Sequence, residues 1–140
     1  MKTSSEPIHV ISRARCLLGL LGGVLLTLSS VAHSVAGWPA QRDVLTAARI
    51  PPEWIFNLSA GWHFGGALML ACGIITLFTF VQAWRGRAAS LWPVAIFGAA
   101  FLAFGVWAWI AGGSAGFAVF VTLGLLLTVA AWPVRGKAAE

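Results

Sequence analysis

Charge is scarce in this chain. Of its 140 residues only 9% are charged, four are Asp or Glu, and tyrosine is absent. A soluble domain carries about 25% charged residues, so a water-covered exterior is excluded. Cysteine is scarce too. Cys16 and Cys72 are too few for a disulfide framework and read as small apolar fillers. There is no phosphate loop, no His-Glu-x-x-His, and no nucleophile–base pair beyond Ser and His at chance frequency, so no catalytic residue is expected. The basic residues form no face or motif, which argues against nucleic acid and for anionic lipid headgroups as their counterpart.

What remains is apolar: 59% of residues are hydrophobic. Four stretches run without Asp, Glu, Lys or Arg, over 16–37, 58–84, 91–110 and 115–132. Each is long enough to cross the hydrocarbon core of a bilayer as a helix. The prolines stand outside their interiors, and Pro93 falls in the first helical turn, where its missing N–H costs nothing. The fold expected is an all-α, antiparallel four-helix bundle in a membrane, forming one domain over 1–140.

Orientation follows from the placement of Lys and Arg. With four crossings, Lys2, Arg13, Arg15, Arg85, Arg87, Arg135 and Lys137 fall on one side. Arg42 and Arg49 fall on the other, balanced by Asp43 and Glu53. Both termini are therefore expected in the cytoplasm. The tryptophans sort the same way, with Trp38, Trp54, Trp62, Trp107 and Trp109 near the outer interface and Trp84, Trp92 and Trp132 near the inner one. There each indole N–H would sit at headgroup level. An alternative reading takes Arg13, Arg15, the first apolar run and Ser34-Val35-Ala36 as a cleaved secretory signal, leaving three spans in unchanged orientation. Residues 38–57 read as an outer loop, with a short helix over 40–50 lying on the membrane surface.

Small residues mark where helices approach closely in lipid. Gly19, Gly22 and Gly23 do so in the first span, and Gly61, Gly65, Gly66 and Gly73 in the second. Gly98 and Gly105, seven apart, form a stripe on the third. His33, near the outer end of the first span, and His63, near that of the second, share faces with these residues and lie at similar depth. Titratable side chains inside a membrane usually face the bundle. Three readings stay open. One is an interhelical hydrogen bond, His33 to His63 or either to Ser34, Ser59 or Asn57. Another is a haem b held by both imidazoles. The last is a metal or small-ligand site with Asp43 or Glu53 folding back as further ligands. Cys72 lies nine residues from His63, on the opposite side of that helix, and is outside any such site.

Ala32-His33-Ser34 closing one membrane helix, followed after a loop by Trp62-His63 opening the next, resembles a group of small bacterial four-helix membrane proteins of uncharacterised activity. The resemblance covers about the first two spans. It implies four crossings, a linked His33 and His63, and a bacterial inner membrane. In that group a glycine and an acidic residue follow the His-Ser closely; here Gly37-Trp38 stands there, which weakens a carboxylate-assisted metal site. The function expected is a non-enzymatic structural or accessory membrane subunit, in a homo-oligomer or a larger complex. Behind it stand a haem- or metal-binding protein and, third, a small-molecule transporter, which would lack the acidic carrier of a small multidrug antiporter.

Overall fold

The computed structural model describes residues 11–132, and every regular element among them is helical. Ser12 caps the first helix by accepting the Arg15 N–H, and α1 runs over Arg13–Ala32. It passes without a break through a π-helical turn, His33–Gly37, into α2, Trp38–Ala47. The three pieces form one 35-residue rod. After a tight turn, α3 spans Pro52–Trp84 and α4 spans Trp92–Gly112. Gly113, with φ 63°, supplies the left-handed residue that ends α4. A 3₁₀ turn, Ala115–Phe117, leads into α5, Ala118–Ala131.

Three helices, Arg13–Ala47, Pro52–Trp84 and Trp92–Gly112, are long and apolar enough to cross a membrane. The last, α5, is apolar but has 14 residues, a length of about 21 Å. The span expected over 115–132 is therefore shorter in α-helix, and the 3₁₀ turn makes up part of the difference. Residues 1–10 and 133–140, with His9, Lys2, Arg135 and Lys137, lie outside the described residues.

The stretch expected as an outer loop over 38–57 is helical except around 48–51. The short helix expected over 40–50 is the end of α2, which follows α1 and the π turn without a break. Pro39 explains how. It has no N–H to give to Val35 and its ring crowds that carbonyl. Widening the preceding turn to π geometry relieves the conflict, and the helix carries on.

Packing divides into two pairs, α1 with α3 and α4 with α5, joined through α1 and α5. Along the first seam Gly19 meets Phe80, Gly23 meets Leu77, Gly73 meets Thr27 and Gly66 meets Ser34. A Cβ on Gly23 would come within 2.8 Å of Leu77, and one on Gly73 within 2.5 Å of the Thr27 hydroxyl. Gly22 serves the other neighbour, Leu127 of α5. In the second pair Gly98 faces Thr128, Gly105 faces Phe120 and Val121, and Gly124 faces the Leu102 backbone. Gly61 meets nothing within 4 Å, and Gly65 meets only His33 Nε2, at 3.9 Å. Gly65 thus keeps an ordinary contact across the α1–α3 seam, while Gly61 lies five residues from Gly66, about 140° around α3 and away from α1.

These contacts set the relative heights. Leu127 stands beside Gly22, so the α4–α5 tip, some nine residues higher, is level with about Val31 to Ala36 of the first rod. Residues 38–62 rise above that level as a helical hairpin.

Candidate functional site

The π turn lies where the rod leaves the level of the α4–α5 tip, and it faces Trp62 of α3. The His33 and Trp62 rings stack with centroids 4.3 Å apart and planes 2° from parallel. The Trp62 indole N–H donates to the His33 carbonyl at 2.7 Å. In return His33 Nε2 lies 3.2 Å from the Trp62 carbonyl. A carbonyl only accepts, so Nε2 carries the proton here. The His33 carbonyl also accepts the Trp38 N–H, five residues on, which is the π-type bond itself. Gly37 fits under the indole, 3.0 Å from where its Cβ would be.

Trp38 and His63 extend the cluster. Trp38 is buried, with its ring 6.1 Å from Trp62 and 6.0 Å, edge to face, from His63. His63 is exposed. The structure joins His33 to Trp62 and sets His63 against Trp38; residues 62 and 63 point about 100° apart on α3, and Trp62 takes the direction facing α1. Ser34 is half-buried over Gly66, and Ser59 is half-buried on α3. Of the tryptophans expected at the interfaces, Trp38 is enclosed and Trp62 gives its N–H to His33. The other six tryptophans are exposed.

Asp43 and Glu53 do not fold back toward the histidines. Each is ten residues along a helix from the nearer one, about 15 Å. Asp43 instead makes an exposed ion pair with Arg42 at 3.5 Å. Among the described residues no group of three or more His, Cys, Asp and Glu side chains is placed to hold a metal ion. With Nε2 directed at a carbonyl, His33 has no lone pair on that nitrogen for a haem iron or a metal while the contact stands.

Sequence reasoning missed a second polar contact, at the opposite end of α1. Arg15 donates from Nε and Nη2 to the Ala130 carbonyl, at 3.2 and 3.0 Å, and from Nη2 to the Trp132 carbonyl. A helix C-terminus carries unpaired carbonyls and partial negative charge, and a guanidinium answers both. The basic residues before the first span signalled orientation; only the α1–α5 packing tells which of them reaches α5. The chain matches no family model, and no curated protein or solved structure matches it.

Proposed function

We propose that this chain is a multi-pass protein of a bacterial inner membrane, an antiparallel four-helix bundle with both ends cytoplasmic, acting as a non-enzymatic structural or accessory subunit. The likeness to small bacterial membrane proteins with an Ala-His-Ser and Trp-His pattern is part of the same reading. The observation that carries it is the reciprocal contact of His33 and Trp62. The histidine of the α1–α3 seam is engaged by its own chain and fixes where the hairpin of 38–62 leaves the rest of the bundle. A residue so used orders the fold. The raised hairpin, bearing Arg42, Asp43, Arg49 and Glu53, is then the part of the protein that a partner outside the bilayer meets.

The test is purification in mild detergent, followed by a visible spectrum and metal analysis of wild type, His33→Ala and His63→Ala. The expected result is no chromophore and no stoichiometric metal, with His33→Ala less stable than wild type. A Soret band or bound metal lost in either variant would replace this reading with a redox or metal-binding one.

A further inference from the structure

Although α3 and α4 are consecutive, they touch sparsely, and the bundle is open between them. A groove of about 320 Å³ lies there, lined by Leu68, Met69 and Cys72 of α3 and Phe97, Phe101 and Phe104 of α4. No charged or hydrogen-bonding side chain lines it apart from the Cys72 thiol. Its volume falls within the range of small-ligand sites, about 300–1,000 Å³.

Position and charge together say what fits. On α4 the lining begins five residues after Trp92 and ends twelve after it, about 8 to 18 Å from that end of the helix; on α3 it lies twelve to nineteen residues before Trp84, about 18 to 28 Å from the same end. One leaflet of hydrocarbon is about 15 Å deep. The groove therefore opens at the depth reached by the distal part of an acyl chain whose headgroup sits beside the α3–α4 loop, and continues past the bilayer midplane. That loop carries Arg85 and Arg87, both exposed, between the exposed indoles of Trp84 and Trp92. Among the described residues the one ion pair is Arg42 with Asp43, so neither loop arginine meets a carboxylate of residues 11–132. Arg87 gives Nη1 to the Gln82 side chain at 3.2 Å and keeps its other donors. At the far end of α4, residues 105–114 hold no charge.

Resting on the membrane reading above, we propose that the α3–α4 seam is a binding site for one anionic phospholipid, its phosphate held by Arg85 and Arg87 and one acyl chain lying in the groove. Guanidinium and phosphate pair through charge-assisted, often bidentate hydrogen bonds. A zwitterionic lipid gains less, because its own cation competes for the phosphate.

The test is native mass spectrometry of the full chain in detergent, titrated with phosphatidylglycerol or phosphatidylcholine. Wild type is expected to retain one phosphatidylglycerol in preference to phosphatidylcholine. Arg85→Gln with Arg87→Gln, both at exposed loop positions, is expected to lower phosphatidylglycerol retention about 10- to 30-fold. The control pair Arg42→Gln with Arg49→Gln is expected to leave it unchanged. Ala100→Phe, on the groove wall, is expected to lower retention of both lipids. Equal retention of the two lipids by wild type, or undiminished phosphatidylglycerol in the loop double variant or in Ala100→Phe, would overturn the site. A lipid-free dimer that Ala100→Phe converts to monomer would assign the groove to a second copy and overturn it as well. Carbonate washing of membranes separates the two levels: release of the chain contradicts the membrane reading itself, while a retained chain without lipid preference contradicts only the site.

Discussion

Trp62 and His33 hold each other three ways: through rings stacked 4.3 Å apart, through His33 Nε2 donating to the Trp62 carbonyl at 3.2 Å, and through the Trp62 indole N–H donating to the His33 carbonyl at 2.7 Å. The His33 carbonyl belongs to the π turn, so the contact and the widened helix are one feature. Trp38 N–H and Trp62 N–H both reach that oxygen, and each bond limits how the other can move.

Trp62→Phe should keep the stacking and lose the indole N–H. A loss of about 1 kcal/mol is expected, the usual net value of one neutral hydrogen bond. The stacking is read separately: Trp62→Leu combined with His33→Ala in a double-mutant cycle should show a coupling of about 0.5–1.5 kcal/mol in reversible unfolding in mixed micelles. Additive losses would mean that the two residues act independently.

Arg15→Ala should destabilise the bundle by about 1–3 kcal/mol, since it leaves the carbonyls at the end of α5 without a cationic donor. Arg15→Lys keeps the charge and loses the forked geometry, and should fall between. Thermal unfolding of the three proteins in one detergent gives the order.

The glycines divide into two groups by what surrounds them. Gly73→Ala drives a methyl into Thr27 and Gly23 and should cost about 1–3 kcal/mol. Gly61→Ala enters open space and should be neutral or stabilising by up to about 1 kcal/mol, the helix propensity gained over glycine. Comparing their unfolding midpoints tests the seam directly, because both are single methyl additions to the same helix.

Thr128 Oγ1 is buried and has no hydrogen-bond partner among the described residues. Thr128→Val keeps the shape and removes the unpaired hydroxyl, so a gain of about 1 kcal/mol is expected. A loss of stability in the same assay would show that the hydroxyl is bonded.

The helical class and the glycine faces were legible because both follow from composition and periodicity. Gly19, Gly23, Gly66 and Gly73 lie on the α1–α3 seam, and Gly98 and Gly105 on the α4–α5 seam. Gly22 was read on the same face as Gly19, but which neighbour each would meet was not legible. That depends on how three helices share one surface, and periodicity describes one helix at a time. Gly124 was missed because α5 holds a single glycine and so shows no spacing. The rod through Pro39 was misread because proline after an apolar run signals an end, and the π turn that lets it continue has no sequence signature of its own. Trp62 was assigned to the interface by its type; its attachment to His33 depends on the register between α1 and α3.

Four crossings of a bilayer are the premise of the proposed topology. The most direct measurement is a set of paired reporter fusions, one active only in the cytoplasm and one only outside it, placed after Glu140, between Arg85 and Arg87, and near Thr46. The cytoplasmic reporter should be active at the first two positions and the external reporter at the third. An active external reporter after Glu140 would contradict the topology and the pairing of helices built on it.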